Sequence, residues 1–338
     1  MKPFPWHRPA LQRLLADRER LPHALLVHGP AGIGKGEFAR ALAAAALCES
    51  PRDGLACEAC ASCHWFSQGN HPDYREIVPE AAEEEDEAAE GEGGKAEKAK
   101  SLVIKIDQIR AVADFIALST HRAGYRALVL RPAEALHPAA ANALLKTLEE
   151  PPPRTLLVLA SDRPARLLAT IRSRCRRLAL MAPAAAEAIA WLRSEGVAEP
   201  EVALAAAGGA PLFARQAAEP EEAQLRKRLL AELAKPSGAD ALQFAPSVDR
   251  AVVERTIHWM QTWVQDLIRV RMSAAPRHHV DARPALQSRA RVADVDALFA
   301  LDRELAEARG LASHPLNARL LAEHLLMAYN RATSGAKP

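Results

Sequence analysis

A glycine-rich loop between an apolar run and a helical pattern constrains the fold of this chain more than any other feature. The run Ala24–His28 (ALLVH) predicts a buried strand, and Gly29–Gly36 (GPAGIGKG) follows it directly. This spacing is typical of a phosphate loop, in which backbone N–H groups and a helix N-terminus hold phosphates and a lysine reaches the terminal ones. The candidate phosphate-binding residues are Gly29, Gly32, Gly34 and Lys35.

Two positions of this motif lack the groups that would bind magnesium. Gly36 stands where a Ser or Thr hydroxyl would hold Mg²⁺. The strand predicted at 126–130 is followed by Arg131 and Pro132, at the place where carboxylates would be required to bind the metal. Glu134 fits the start of the next helix better than it fits a catalytic base. Phosphoryl transfer needs the metal to neutralise developing charge, so we predict that ATP is not hydrolysed here. The alternative is a glycine-rich turn that binds nothing.

Continuous apolar runs, each flanked by helical patterns, recur through the first half of the chain. Such runs are typical of strands covered on both faces, as in a parallel sheet with crossover helices. The predicted strands are 24–28, 74–78, 126–130, 155–160 and 177–180. The helices predicted between them are 34–47, 106–118 and 138–150. The pattern therefore predicts an α/β domain.

After Pro183 the strand pattern ends and only helical patterns follow. Short helices broken by Gly196 and by 208–211 are predicted over 184–218. Longer amphipathic helices are predicted at 221–233, 249–272, 292–309 and 315–331. The second half of the chain is therefore predicted to be all helical.

Length and charge distribution bound the remaining possibilities. The 338 residues exceed one ordinary core and predict two or three domains. A formal net charge of +2 hides eight acidic residues at 80–92, without which the chain would carry +10. The biased segment 80–100 predicts a mobile acidic insertion. No run of 18 apolar residues and no signal-peptide pattern occur, so we expect a cytoplasmic protein.

Four of the five cysteines lie close together in the sequence. This cysteine cluster comprises Cys48, Cys57, Cys60 and Cys63. In a cytosolic protein such clustering favours a metal over disulfides, and four thiolates match a tetrahedral zinc site. Because four sulfurs fill the coordination shell, the predicted zinc is structural. Reduced free thiols are the alternative.

The segment 163–177 contains six arginines and no glutamate or aspartate. It is interpreted as a nucleic-acid-binding patch, as a solvated basic face, or as the support of one functional arginine. In the third interpretation Arg174, within Ser173-Arg174-Cys175, is held at the rim of a nucleotide-binding domain. From there it reaches the γ-phosphate of a nucleotide bound by a neighbouring protein. Cys175 is then a packed neighbour, since no histidine is placed to activate it.

Taken together, these motifs resemble the bacterial clamp-loader family of AAA+ proteins. The most specific segments are Ala140–Pro152 (AANALLKTLEEPP) and Leu168–Cys175 (LATIRSRC). The phosphate loop and the cysteine cluster also take part. Further matching segments are Leu21–Ala24, Asn70–Asp73, Gly208–Pro211 and, more weakly, Asn317–Leu326. The resemblance covers nearly the whole chain apart from the acidic insertion.

The resemblance implies three domains. Residues 1–180 would form an α/β P-loop AAA+ domain that carries the zinc module at 48–63. Residues 181–220 would form a small helical lid, and residues 221–338 an all-α collar through which subunits assemble into a pentamer.

The resemblance also implies a role. Motor subunits of the family would keep Ser or Thr at position 36 and Asp-Glu at the end of the strand predicted at 126–130. Because this chain has Gly36 and Arg131-Pro132 there, it resembles the non-catalytic stator. Arg174 then matches the arginine finger that completes the ATP site of the adjacent motor subunit. The implied partners are the motor (tau/gamma) and delta subunits, the sliding clamp and primer-template DNA. The alternatives are an autonomous ATPase using Lys35 and Glu134, or a zinc-bearing nucleic-acid-binding adaptor.

Overall fold

The computed structural model describes most of the chain in two compact units. The described residues are 3–80, 101–117, 124–235, 237, 239–250, 252–311 and 317–334. The units are Met1–Pro183 and Ala184–Pro338. The predicted acidic insertion, except Glu80, lies outside the described residues. The division of the second unit into a lid and a collar stays a prediction.

The described part of the first unit contains one parallel sheet of five strands in the order β2-β3-β4-β1-β5. The strands are β1 (Ala24–His28), β2 (Tyr74–Ile77), β3 (Arg126–Leu130), β4 (Thr155–Ser161) and β5 (Arg176–Ala179). Each begins and ends within one residue of its prediction. Because all strands run in the same direction, their carboxyl ends meet at one edge. The phosphate loop leaves β1 at this edge, and Asp162 directly follows β4 there.

Helices cover both faces of the sheet. They are α1 (Arg8–Leu15), α2 (Lys35–Leu47), α3 (Ala61–Ser67), α4 (Ile106–Ala117), α5 (Pro138–Glu149) and α6 (Ala169–Arg174). Alternate residues of the central strands enter two separate apolar clusters: Leu25 packs with residues of α1 and α2, whereas Leu26 packs with residues of α4 and α5. Burial on both faces explains why the three central strands, β1, β3 and β4, are continuous apolar runs.

The described residues of the second unit form helices and no strand, as predicted. The shorter helices are α7 (Ala185–Ser194), α8 (Pro200–Ala206) and α9 (Pro211–Ala217). They are followed by α10 (Pro220–Ala234), α11 (Ala241–Phe244), α12 (Val253–Arg271), α13 (Arg283–Val292), α14 (Val295–Leu311) and α15 (Ala318–Thr333). The parallel α/β domain followed by a helical region confirms the predicted fold class.

Three helices in this unit begin later than predicted, among them α15, which begins at Ala318 instead of 315. The helix predicted from 249 begins at Val253, and the helix predicted over 292–309 begins only at Val295. Residue 292 instead ends α13, a helix that the pattern did not reveal. The break has a local cause, because the Asp294 carboxylate accepts a hydrogen bond from the Ala297 N–H at 2.8 Å and so caps α14.

The core of the second unit is centred on Trp263, which is fully buried. Its indole N–H donates to the Tyr329 hydroxyl at 3.1 Å, and that hydroxyl donates to the Leu233 carbonyl at 2.6 Å. This chain of hydrogen bonds joins α12, α15 and α10 inside an apolar cluster. None of the helices in the described ranges has the length and apolar character needed to cross a membrane.

Candidate functional site

The phosphate loop has a backbone that only glycine can provide at two positions. A Cβ atom on Gly29 would lie 2.1 Å from the Leu180 carbonyl oxygen. Gly34 has a φ of 89°, and a Cβ atom there would lie 2.5 Å from two ring carbons of Phe4. Because α2 begins at Lys35, the unpaired N–H groups of its first turn lie next to the loop. The loop backbone is therefore compatible with phosphate binding.

The loop lysine is already engaged by the protein. Lys35 is buried, and its Nζ donates to the Pro30 carbonyl within the loop and forms an ion pair with the Asp162 carboxylate. Asp162 lies just beyond β4, at the edge of the sheet where β1 also ends. A phosphate could contact the Lys35 ammonium group only in competition with this carboxylate.

A second cation lies where a magnesium ligand would be expected. A Cβ atom on Gly36 would lie 3.0 Å from Cδ of Arg131, the residue that follows β3. The Arg131 guanidinium is paired with Glu76 on β2. The single Nε–H of Arg40 is shared by the two oxygens of the same carboxylate, at 3.0 and 2.8 Å, and the Tyr74 hydroxyl donates to it at 2.9 Å. The positive charge of Arg131 would repel a divalent cation at this place.

Glu134 lies past β3, as predicted, but not at the start of the next helix. It belongs to a short 3-10 turn, Ala133–Ala135, whereas α5 begins at Pro138. Its Oε1 accepts hydrogen bonds from the backbone N–H groups of Asp162 at 3.0 Å and Arg163 at 3.1 Å. This carboxylate therefore fixes the segment that follows β4.

An aromatic segment next to the loop was missed by the sequence analysis. Trp6 donates a hydrogen bond from its indole N–H to the Ile33 carbonyl at 2.9 Å, and its ring stacks on Phe4 at 4.9 Å. His7 is buried, and its ring nitrogens have no hydrogen-bond partner among the described residues. Burial, reinforced by the charge of Lys35, lowers the pKa of His7 to about 4. The signal available in the sequence was the pair of aromatic residues that flank Pro5, well ahead of the phosphate loop along the chain.

The four predicted metal ligands come together in one cluster. Their Sγ atoms all lie within 4.8 Å of one another. The Cys48–Cys60 and Cys57–Cys63 sulfur pairs are each separated by 3.9 Å. A zinc tetrahedron with Zn–S bonds of about 2.3 Å has edges of roughly 3.8 Å, so the donor set fits this ion.

Hydrogen bonds reach three of the four sulfurs and favour the thiolate form most clearly at Cys57. The backbone N–H groups of Cys57, Cys60 and Cys63 each donate to the sulfur of the preceding cysteine of the cluster, at 3.2, 3.4 and 3.4 Å. A hydrogen bond with the Ser50 side chain, assisted by backbone N–H groups, lowers the pKa of Cys57 to about 5. Burial raises the pKa of Cys63. A metal bound here would displace the remaining thiol protons.

A buried polar network, also missed, fixes the cysteine-bearing α3. The Ser62 hydroxyl donates to the Leu47 carbonyl at 2.8 Å and lies 2.8 Å from His71 Nε2. His71 Nδ1 accepts the backbone N–H of Asp73 at 3.0 Å, which makes Nε2 the protonated nitrogen and the donor to Ser62. The Asp73 carboxylate is paired with buried Arg126 at 3.4 Å. The network joins the end of α2, α3 and the start of β2.

Arg174 is the last residue of α6 and is held by two contacts. Its Nη2 lies 2.6 Å from Glu149 Oε1, and its Nη1 donates to the Thr170 carbonyl at 3.0 Å. The arginine side chain keeps 35% of its accessible surface. Cys175 beside it is buried, and burial raises its pKa to about 11, so it is a packed residue and not a reactive thiol. The following Arg176 and Arg177 are exposed on β5.

Comparison with known proteins identifies the family. The profile of the family described as "DNA polymerase III, delta subunit" matches residues 8–184, and that of "DNA polymerase III, delta subunit, C terminal" matches residues 220–330. The DNA polymerase III subunit delta′ of Pseudomonas aeruginosa is 35% identical over 80% of this chain and 78% of its own length. That of Escherichia coli is 33% identical over 83% of this chain and 80% of its own length, and that of Yersinia pestis 30% identical over 98% and 96%. This chain therefore belongs to the family of DNA polymerase III delta′ subunits.

Proposed function

We propose that this chain is the stator subunit of a sliding-clamp loader and inserts Arg174 into the ATP site of an adjacent motor subunit. The observation that carries the proposal is the presentation of Arg174, which is anchored by Glu149 and Thr170 and still partly exposed. Such an arginine is suited to meet a group that belongs to another protein.

The chemistry required of Arg174 is electrostatic. Negative charge spreads over the equatorial oxygens of a γ-phosphoryl group as it is transferred. A guanidinium group that is already oriented can stabilise this charge without reorganising during the reaction. Arginine fingers contribute roughly 10³- to 10⁵-fold to the rate of such reactions.

The chain's own phosphate loop supports a role without hydrolysis. Lys35 is paired with Asp162, and Arg131 lies against Gly36 where a magnesium ligand would be needed. Glu134 binds backbone N–H groups, so its contacts are those of a structural residue. These contacts argue against an autonomous ATPase that uses Lys35 and Glu134.

The cysteine cluster is proposed to hold a structural zinc ion. Cys48, Cys57, Cys60 and Cys63 would be its four ligands, and the bound ion would crosslink the segment between α2 and α3. The buried Ser62–His71 hydrogen bond already joins this segment to the core. The zinc module would therefore stabilise the α/β domain and take no part in hydrolysis.

The proposed partners follow from the family. We propose that the chain assembles in the cytoplasm with the motor (tau/gamma) and delta subunits, and that it acts through this complex on the sliding clamp and primer-template DNA. The helices of the second unit are proposed to form the collar. Co-purification with a motor subunit that carries an intact phosphate loop would test the assembly.

The decisive experiment measures ATP hydrolysis by a reconstituted loader. Arg174→Ala is expected to lower the turnover stimulated by clamp and DNA, because the transition-state charge loses its partner. Arg177→Ala is the matched control, since it removes the same charge from an exposed position three residues away and should leave turnover unchanged. Unchanged turnover with Arg174→Ala would contradict the proposal, as would Lys35-dependent hydrolysis by the isolated chain.

A further inference from the structure

The anchoring of Arg174 involves a second side chain whose role the proposed function does not explain. Glu149 is the last residue of α5, and its Oε1 lies 2.6 Å from Arg174 Nη2. The other anchor, the Thr170 carbonyl, belongs to the helix of Arg174 itself. Glu149 is thus the residue that connects the Arg174 guanidinium to a second helix, α5.

The spacing between these two helix ends is set by the apolar core. Leu148, beside Glu149, and Ile171 and Cys175, on either side of Arg174, are buried in the same cluster. Pro151 and Pro152 prevent α5 from continuing beyond this point. The backbones of Glu149 and Arg174 are therefore held in place, and their ion pair favours one orientation of the guanidinium group.

The anchored guanidinium keeps donors for a ligand. Arginine carries five N–H bonds, of which the contacts with Glu149 and Thr170 engage one each. The remaining N–H bonds can donate to phosphate oxygens, which match the planar guanidinium well. A free arginine side chain would have to lose rotamer freedom each time it entered the neighbouring site, whereas an anchored one does not.

We infer that Glu149 is a positioning residue for Arg174, an inference that rests on the proposed function. It orients the guanidinium in the subunit before assembly and keeps that orientation when a neighbour's γ-phosphate arrives. A role in stability is a weak alternative, because the Glu149 side chain is 49% exposed and exposed ion pairs contribute little to the stability of a fold. Removal of its carboxylate should therefore leave the subunit folded.

The test compares neighbouring carboxylates in the reconstituted loader. Glu149→Ala should lower the kcat of ATP hydrolysis stimulated by clamp and DNA by about tenfold or more, because small displacements of a catalytic group are costly. The KM for ATP should not change, since Glu149 itself does not touch the nucleotide. Glu150→Ala is the matched control, because Glu150 is exposed and forms no ion pair among the described residues. The kcat of a loader with this variant should stay within about twofold of the wild-type value.

Two further variants separate positioning from other roles. Glu149→Gln keeps an oxygen that can accept from the guanidinium and should restore part of the lost kcat. In an Arg174→Ala background, Glu149→Ala should have no additional effect, because the group that it positions is gone. Thermal unfolding of each variant subunit, expected to match the wild type, controls for folding.

The outcomes distinguish this inference from the proposed function. If Arg174→Ala leaves turnover unchanged, the proposed action of Arg174 in the neighbouring ATP site is wrong. If Arg174→Ala lowers turnover but Glu149→Ala does not, the role of Arg174 is supported and the positioning role of Glu149 is overturned. If Glu149→Ala lowers turnover equally in the Arg174→Ala background, Glu149 acts elsewhere, and the positioning role is again overturned.

Discussion

Lowering the pH should weaken the first unit through one buried imidazole, that of His7. The ring is 1% exposed and packs edge-on against Trp6 and Phe38, with centroid distances of 5.8 and 5.4 Å. Burial and the charge of Lys35 lower its pKa from 6.5 to about 4. Between these values the unfolded chain binds a proton that the folded chain excludes. The stability that depends on neutral His7 is therefore fully present above pH 6.5 and is lost as the pH falls toward 4.

The size of this effect follows from the shift in pKa. Each pKa unit corresponds to about 1.4 kcal/mol, so the full loss on acidification is roughly 3 kcal/mol. Between about pH 7.5 and pH 5, the linkage relation gives a loss of roughly 2 kcal/mol in the free energy of unfolding. A difference of this size is well within reach of a urea titration.

The assay compares the wild type with His7→Leu at both pH values. Leucine is close to histidine in volume, and the substitution removes no hydrogen bond made by the described residues. Urea unfolding is followed by a deuterium pulse and mass spectrometry of the peptide that contains β1, which reports on the first unit. The pulse is lengthened at the lower pH to offset slower chemical exchange.

Between the two pH values, the free energy of unfolding should fall by about 2 kcal/mol more in the wild type than in His7→Leu. His258, His278 and His279 of the second unit also have lowered pKa values, because burial disfavours their charged forms. Their contributions are common to both proteins and cancel in the difference. Equal pH dependence of the two proteins would refute the assignment of this effect to His7.

Three further predictions concern buried or clustered polar groups. Protein prepared without added metal should contain about one zinc ion per chain by elemental analysis, and Cys63→Ser should lose it; a metal-free wild type would contradict the zinc site. Asp73→Ala should cost roughly 3 kcal/mol in urea unfolding because it leaves the buried Arg126 guanidinium without its carboxylate, and a loss below about 1 kcal/mol would contradict this role. The Asp266 carboxylate accepts hydrogen bonds from the backbone N–H groups of residues 277–279, at 2.6, 2.9 and 2.7 Å. Asp266→Ala should therefore make this segment more susceptible to proteolysis. A variant as resistant as the wild type would contradict the role of Asp266, because other contacts would then hold the segment.

The elements that could be predicted from the sequence are those specified by local patterns. Strands such as Arg126–Leu130 are buried on both faces, and continuous apolar runs report this burial directly. The glycines of the phosphate loop and the spacing of the cysteine cluster are local patterns too. The break at Asp294 was missed because a capping aspartate within an otherwise periodic helical stretch looks like an ordinary polar position.

The contacts that define the state of the site are long-range and could not be predicted in this way. The phosphate-loop motif identifies Lys35, but its partner Asp162 is brought to it only by the pairing of β1 with β4. The absence of metal ligands was evident from Gly36, whereas the packing of Arg131 against it depends on the path of the chain after β3. Likewise, the Arg174 motif is local, but its ion pair with Glu149 depends on the packing of α5 against α6.

The central claim, that Arg174 stabilises the transition state in a neighbouring ATP site, is tested most directly by comparing two ligands of the reconstituted loader. ADP with aluminium fluoride mimics the transferred phosphoryl group, whereas a non-hydrolysable ATP analogue resembles the substrate. A true finger contributes more to binding of the mimic than of the substrate. Arg174→Ala is therefore predicted to weaken binding of the mimic by about 100-fold or more, with much less effect on the ATP analogue. Equal weakening of both ligands, or of neither, would contradict the account.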